Sequence, residues 1–423
     1  MFSKKIFIIL ALLFPTCPAL AETDTEIPLP ATDVKISEES VDSIAVDSIP
    51  IPDEVTYALD HMLSSWYQDK AKKSQCDTAA LDVQVPDSVV KLRLSLMPCV
   101  IEMPYNRHVR SFIDLYVVKR RSQVSYFRRL GDYYFRLFEQ ALDKHDLPFE
   151  LKYLPVIESA LNATAVSRAG AAGLWQFMVS TGRMYGLEIN SLIDERMDPY
   201  KSTHAAVKYL KDLYEIYGDW HLVIAAYNCG PGNVNKAIRR SGGKQDYWAI
   251  YPFLPAETRG YVPIFIAANY ALYYAEAHNI CKADVEFPNP IDTVIINQRI
   301  HFEQIASVLN VPKEQIKMLN PQYRREIIPG DLKPYAVALP VSLTGMFIDK
   351  FDEIVAYKAD SLINNRRVEV NTALAPVIYH TVRSGQTLSG IAARYGVSVT
   401  RLRQWNNIRG SLIRPGQRIK IYR

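Results

Sequence analysis

The sequence predicts a multidomain chain in which an all-α domain is followed by small α+β modules of βααβ layout. Between Leu147 and Ala277 apolar residues recur at helical spacing between Gly, Pro and Asp breakpoints, and strand patterns are nearly absent. Beyond Asn289 the texture changes and an internal repeat appears. The 423 residues, 48% hydrophobic and 22% charged, are too many for one ordinary core and rich enough for several. This composition excludes a collagen-like, wholly disordered or multi-spanning membrane protein.

Charge is unevenly spread. The net charge is +4, yet Tyr379 to Arg423 carries nine Arg or Lys and no acidic residue, so the remaining 40 basic and 45 acidic residues leave −5 before it. A basic end suits a nucleic acid, an anionic surface or a polyanionic wall polymer.

The N-terminus decides between these. Lys4 and Lys5 precede the apolar run Ile6 to Phe14, and Ala19-Leu20-Ala21 follows. That reads as a signal peptide over residues 1–21, cleaved after Ala21, since the run is far shorter than the roughly 20 residues a bilayer requires. A lipid-anchored Cys17 is the rival reading, with Phe-Pro-Thr a poor approach to it. An exported chain, placed in the periplasm, argues against nucleic acid and leaves peripheral outer-membrane association open. Sequence proximity pairs Cys76 with Cys99 and Cys229 with Cys281, and free buried cysteines are the alternative.

Residues 22–55 form an acidic tether: Glu22 to Glu54 holds ten acidic residues, one Lys and several Pro, too little apolar surface to offset ordering entropy. Residues 56–105 are left without an assignment. From Arg107 to Lys144, Phe112, Leu115 and Tyr116, then Tyr126, Phe127, Leu130, Tyr134 and Phe138, recur at three and four residues, opening a helical domain over 106–285. Its further helices are expected at Pro148–Leu161 with Pro155 disturbing the middle, Gly173–Tyr185, Pro199–Tyr217, Asp219–Tyr227, a short one to Arg240, and Thr258–His278. Glu188 to Asp198 is polar and reads as a surface loop.

The repeat has an offset of 86. Ile305-Ala306 matches Ile391-Ala392, Ile316 matches Leu402, Leu319 matches Trp405, Asn320 matches Asn406, and Pro329-Gly330 matches Pro415-Gly416. The copies are assigned to 290–342 and 378–423, with 343–377 a linker.

For chemistry, no His/Cys/carboxylate cluster has metal-ligand spacing, and there is neither a phosphate-binding Gly-rich loop nor a Gly-x-Ser-x-Gly element. No metal and no cofactor are expected. Glu158 stands out because Leu151, Leu154, Val156 and Ile157 surround it in sequence. An apolar setting raises a carboxyl pKa, and an acid still protonated near neutrality can protonate a leaving glycosidic oxygen. Downstream, Ser167 to Gly182 and Ala225 to Val234 combine small residues with Gln176, Tyr227 and Asn228, whose neutral donors and acceptors suit sugar hydroxyl and acetamido groups. Trp175, Tyr185 and Tyr227 offer flat faces for sugar rings, and Trp175 reads equally well as core.

Two resemblances add to this. Glu158-Ser159, the run Ala165 to Met178, Ala226-Tyr-Asn-Cys-Gly-Pro-Gly232 and Leu254-Pro-Ala-Glu-Thr-Arg-Gly-Tyr-Val262 resemble the family 1 soluble lytic transglycosylase domain. The second copy, from Tyr379-His-Thr-Val through Gly385-Gln-Thr-Leu and Trp405-Asn406 to Arg414-Pro-Gly-Gln417, resembles the lysin motif (LysM). The resemblances imply an all-α lysozyme-like catalytic domain followed by LysM-type modules, acting on peptidoglycan glycan strands. They imply Glu158 as the single acid/base, with Ser167, Gln176, Met178, Tyr227, Asn228 and Tyr261 binding substrate. They also imply glycan contacts at Gly385, Gln386, Thr387, Ile413 and Arg414. The first copy lacks the Gly-Gln-Thr-Leu opening, which makes it a degenerate module. In that family the acetamido group and C6 hydroxyl of N-acetylmuramic acid do the work of a second carboxylate, giving a 1,6-anhydro end. A hydrolytic muramidase using Asp194 or Asp198, and a non-catalytic wall-binding scaffold, are the competing readings.

Overall fold

The computed structural model describes residues 85–284, 290–363, 377–383, 385–395, 399–406, 408, 410 and 412–422. The signal, the acidic tether and Cys76 lie outside the described residues.

The helical region is built around one apolar helix. Helix α1 (Asp87–Leu96) buries Val90 and Leu94, and with Met97, Ile101 and Met103 it joins the same core as the helices that follow. Arg110 fastens this start, donating to Asp87 and to the Val85 carbonyl at 2.8 Å each. Asn106 caps α2 (Arg107–Asp114), a five-residue π turn follows, and α3 (Arg121–Asp143) buries the stripe that the sequence spacing marks. A 3-10 turn (Phe149–Tyr153) leads into α4 (Leu154–Ser159). Pro155 opens α4 rather than disturbing a longer helix, since a first-turn residue has no intrahelical N–H bond to lose.

Only α5 (Val179–Met184) is helical in the stretch expected to run from Gly173 to Tyr185. Residues 165–177 instead fold into a looped hairpin with bridges Val166–Ala172 and Ala172–Phe177. Left-handed backbone at Gly173 (φ 84°) and Gln176 (φ 48°) stops a helix there. Gly173 is required: a Cβ would lie 1.8 Å from the Arg196 carbonyl oxygen.

Helices α6 (Pro199–Tyr217), α7 (Trp220–Cys229) and α8 (Pro231–Arg240) begin and end where their caps dictate. Asp198 and Asp219 accept from first-turn amides, Gly218 turns left-handed, and Pro231 opens α8. Short helices α9 (Tyr247–Ile250) and α10 (Ala256–Arg259) precede α11 (Tyr261–Tyr273), in which every residue from Tyr261 to Ala271 is buried. A helix apolar on all sides belongs at the centre of a domain. Packed against α2, α3, α4 and α7, it is the post on which the site is mounted. No described helix is long and apolar enough to cross a membrane.

The first module pairs β1 (Ile291–Ile296) antiparallel with β4 (Tyr335–Pro340), and β2 (Arg299–His301) with β3 (Ile327–Pro329). Helices α12 (Phe302–Leu309) and α13 (Lys313–Leu319) lie between them in sequence. Two further helices, α14 (Val341–Asp349) and α15 (Phe351–Ala356), occupy part of the stretch expected to be a linker. They sink Phe347 and Ile354 fully into the module's core. A short α16 (Ala359–Leu362) follows. The second module has β5 (Val377–Thr381) paired with β6 (Arg418–Tyr422) and helices α17 (Leu388–Tyr395) and α18 (Val399–Asn406) between them.

The repeat is physical as well as textual. Asn320 donates to the Ile316 and Ala338 carbonyls and accepts from the Ala338 amide, while Asn406 does the same with Leu402 and Lys420. Each amide side chain thereby pins the end of its second helix to a strand. The first pin spans 18 residues and the second 14, so the gapless register ends just after the Pro-Gly turn.

Two expectations are corrected. Cys99 and Cys229 are free thiols and Cys281 is disulfide-bonded, so neither proximity-based pairing holds. Nearness along the chain was a poor guide: Cys229 ends α7 facing its own neighbour's carbonyl, and Cys99 sits beside Glu150. Nor is the polar stretch 188–198 a surface loop. Asn190, Ser191, Asp194, Glu195 and Arg196 are buried with Leu192 and Ile193 because the first module closes over them. Ile193 bridges to Tyr323, and Asp194 N–H donates to the Gln322 carbonyl at 2.8 Å.

Candidate active site

Glu158 is the penultimate residue of α4. Leu154, Pro155, Val156 and Ile157 are buried around it, and the helix ends abruptly at left-handed Ala160 (φ 54°) and Leu161 (φ 60°). Two consecutive non-glycine residues in this region carry backbone strain, which concentrates at functional sites. The termination presents the Glu158 side chain at the end of the helix, half-buried.

Burial pushes the Glu158 carboxyl up to about 7, against the opposing pull of a hydrogen bond from Tyr261. The Tyr261 hydroxyl donates to Glu158 Oε1 from the first turn of α11. Tyr227, on α7, lies close enough for the Glu158 charge to help hold its own hydroxyl well above the ordinary range, behind the larger effect of burial. That hydroxyl donates to the Trp175 carbonyl at 2.7 Å. Glu158, Tyr227 and Tyr261 therefore form one cluster carried by three helices.

The loop 165–177 is tied to the same cluster. Ser159 Oγ donates to the Leu174 carbonyl at 2.9 Å, locking the loop to the residue beside Glu158. Gln176 folds back, its amide donating to the Gly173 and Ala165 carbonyls at 2.8 and 3.3 Å. Ser167 Oγ accepts from the Ala171 amide at 3.1 Å and shapes the loop's tip. Asn228 is exposed at the end of α7, and its Oδ1 accepts from Thr258 Oγ1 at 2.9 Å. Met178 is exposed at the N-cap of α5, and no hydrogen bond or ring contact links it to Glu158.

Trp175 is not a sugar platform. It is fully buried, edge-on to Phe138 at 5.2 Å, with its indole N–H donating to Thr203 Oγ1 at 2.9 Å. Thr258 and Ser159, which lie in the quoted motifs but carry no assigned role there, are positioning groups. The spacing of Thr258 from Tyr261, one helical turn across the α10–α11 break, was the available signal.

The acidic residues that would supply a second carboxylate are engaged elsewhere. Asp194 is fully buried and chelated by Arg196, with both oxygens at 2.8 Å, and by Arg324. Burial works to raise its pKa, but the hydrogen bonds and charges of the two arginines hold it below the usual carboxylate range. Asp198 caps α6 through the Tyr200 and Lys201 amides at 2.9 Å each. Glu195 takes the Glu188 amide at 2.8 Å and pairs with Lys201 at 2.5 Å.

In the second module, Val382 N–H donates to the Gln417 carbonyl and Gly416 N–H to the Val382 carbonyl, setting Val382 and Arg383 beside residues 413–417 at one end of the β5–β6 pair. Gly385 (φ 81°), Thr387 and Arg414 are exposed there and Ile413 is half-buried. Gln386 Oε1 instead braces the loop, engaging His380 Nε2 at 2.8 Å and accepting from the Arg383 amide at 2.9 Å.

Comparison with known proteins agrees with this layout. Residues 136–250 match the transglycosylase SLT domain, 290–356 the LysM-like domain of lytic transglycosylase MltD, and 380–421 the LysM domain. The membrane-bound lytic murein transglycosylase D of Escherichia coli (strain K12) is 35% identical over 282 residues, which are 66% of this chain and 61% of that protein. The chain thus spans about 61% of the length of that curated relative. The soluble lytic murein transglycosylase of the same organism is 35% identical over 123 residues, 28% of this chain and 19% of that protein. The solved 70 kDa soluble lytic transglycosylase from Escherichia coli superposes with a TM-score of 0.30 at 27% identity, covering 36% of this chain and 27% of that one. The chain accordingly carries a helical transglycosylase SLT domain followed by a LysM-like domain of the MltD type and a LysM domain.

Proposed function

We propose that this chain is a peptidoglycan lytic transglycosylase. It cleaves the bond between N-acetylmuramic acid and N-acetylglucosamine without water, while the C-terminal LysM module holds the glycan strand. The observation that carries the reading is the Glu158 carboxyl with a pKa near 7, hydrogen-bonded by Tyr261, while Asp194 and Asp198, the acids a hydrolytic reading would call on, are committed to ion pairs and a helix cap. Most glycosidases that use water or a protein nucleophile carry a second carboxylate, about 5 Å or 6.5–9.5 Å from the first. With one carboxyl, the substrate supplies the nucleophile.

The protonated Glu158 donates to the glycosidic oxygen as the bond from that oxygen to the muramoyl C1 breaks, and the acetamido oxygen assists at C1. The resulting carboxylate takes the proton of the C6 hydroxyl as O6 bonds to C1. Glu158 ends protonated and the muramoyl end is a 1,6-anhydro ring. Gln176, Ser167, Met178 and Asn228 line the glycan path in this reading, with Tyr227 and Tyr261 orienting the acid. Gly385, Gln386, Thr387, Ile413 and Arg414 form the LysM contact. The signal reading of residues 1–21 and the membrane-bound relative support a location in the cell envelope, on the periplasmic side.

Mass spectrometry of digested sacculi tests this. Anhydromuramoyl ends are expected; reducing ends would mean a hydrolytic muramidase, and intact strands a binding scaffold.

The pH dependence tests the acid. Activity requires the protonated form, so it is full well below pH 7 and falls as pH rises through about 7. The Tyr261 hydroxyl favours the charged carboxylate, so Tyr261→Phe removes that pull and the proton is held to higher pH. The alkaline limb of the kcat/KM profile moves upward in this variant while the maximum rate drops. A limb unmoved by the substitution would show that another group sets it.

A further inference from the structure

We propose that the Asp194–Arg196 pair, completed by Arg324 from the first LysM-like module, is a positioning device that holds the substrate loop 165–177 in register with Glu158. The module's function in the chain is then to order that loop. This rests on the transglycosylase reading for its kinetic consequence, though not for its structural one.

The connection is continuous. Arg324 donates to Asp194 Oδ2 from the module side. Asp194 holds the guanidinium of Arg196 by two bonds of 2.8 Å, from Nε and Nη2. This fork leaves Nη1 aimed at the loop, where it donates to the Gly170 carbonyl at 2.7 Å and the Phe177 carbonyl at 3.0 Å. Those two carbonyls stand at the loop's tip and base, and Gln176 lies between them. The loop rests on the same arginine's backbone, since Gly173 leaves no room for a side chain above the Arg196 carbonyl. On its other side it is fixed to Ser159 and Tyr227, the neighbours of Glu158. A planar, five-donor guanidinium can satisfy a carboxylate and two carbonyls at once, whereas an ammonium cannot reproduce the fork.

A second observation concerns the module. The residues that flank its partner's open loops, at 385–387 and 413–414, correspond at the 86-residue offset to 299–301 and 327–328. In the first module these positions are the paired strands β2 and β3, with Arg299 opposite Pro329 and His301 opposite Ile327. Ile327 and Ile328 are buried. Where the second module has loops facing solvent, the first has a closed ladder. What it does present is Arg324 and Tyr335, and Tyr335 OH reaches both oxygens of Glu188 at 3.0 Å on the catalytic side.

Arg324 is the residue to change, because its side chain is partly exposed and its loss leaves the Asp194–Arg196 pair intact. In the full-length chain, Arg324→Ala is expected to increase hydrogen exchange at amides of residues 165–177. It is also expected to lower kcat/KM on short soluble glycan strands about tenfold, since sub-ångström misplacement of a positioning loop is costly. Arg324→Lys restores part of both, as a charge still reaches Asp194. Combined with Gln176→Ala the loss is less than multiplicative, because Arg324 acts through the same loop. A merely structural arginine would lower thermal stability, leave loop exchange unchanged and combine multiplicatively with Gln176→Ala, and that result overturns the proposal. Should Arg324→Ala not fold, Arg324→Met carries the same readouts with the aliphatic stem retained. The exchange measurement needs no substrate, so its failure condemns the positioning device, whereas missing anhydro ends in the parent chain condemn the transglycosylase reading.

Discussion

Glu158→Gln is expected to lower glycan cleavage by at least about a thousandfold, because one group supplies both the acid and the base step and each such transfer is worth roughly 10²–10⁴. The amide keeps the shape of the carboxyl and its carbonyl can still accept from Tyr261, so the site's geometry survives. Stability changes in the opposite direction. A carboxyl whose folded pKa is raised from 4.5 to about 7 binds its proton more tightly in the folded chain. Its contribution is therefore fully favourable below about pH 4.5 and is lost as pH rises through 7. The glutamine variant escapes that loss, so at pH 8 it should melt no lower than the parent. Binding to insoluble sacculi, which the proposed function assigns to the second module, should be unchanged. Turnover within tenfold of the parent would remove Glu158 from the role of acid.

That carboxyl was legible in the sequence because its environment is local: Leu154, Val156 and Ile157 are its own helix neighbours, and burial follows from them. The boundaries of α6, α7 and α8 were legible for the same reason, since Asp198, Gly218, Asp219 and Pro231 act within one turn. What was not legible depends on distant partners. Glu188 to Asp198 is polar enough to read as solvated, yet Asp194 is fully buried because Arg324 arrives from 130 residues away. The run Leu174 to Met178 reads as helix by apolar content, but Gly173 and Gln176 take left-handed backbone to fit against Arg196. The helices α14 and α15 could have been found: Leu343, Phe347 and Ile354 keep helical spacing after Pro340. Disulfide pairing carried no such local signal.

Trp175→Ala is expected to cost about 3–5 kcal/mol, the range for emptying a buried tryptophan site, and to lower the melting temperature of the helical domain by about 10 °C. The fully buried indole fills the space between α3 and α6, against Phe138 and Thr203. The sequence left two readings of this residue, sugar platform or core, and the variant separates them. A platform residue would leave the melting temperature alone and raise KM. A core residue lowers stability first, and here it also disturbs catalysis, because the Trp175 carbonyl is the acceptor for Tyr227 OH and the Leu174 carbonyl is the acceptor for Ser159. Both kcat and stability should therefore fall in Trp175→Ala, while Trp175→Phe, which fills most of the volume but cannot donate to Thr203, should recover the larger part of each. Urea unfolding with an unchanged m-value would confirm that the folded state, and not the unfolded ensemble, was altered. If Trp175→Ala melted with the parent and lost only affinity for glycan, the loop would have to open in solution far enough to expose the indole, and the frame drawn through Arg196 would be too loose to position anything.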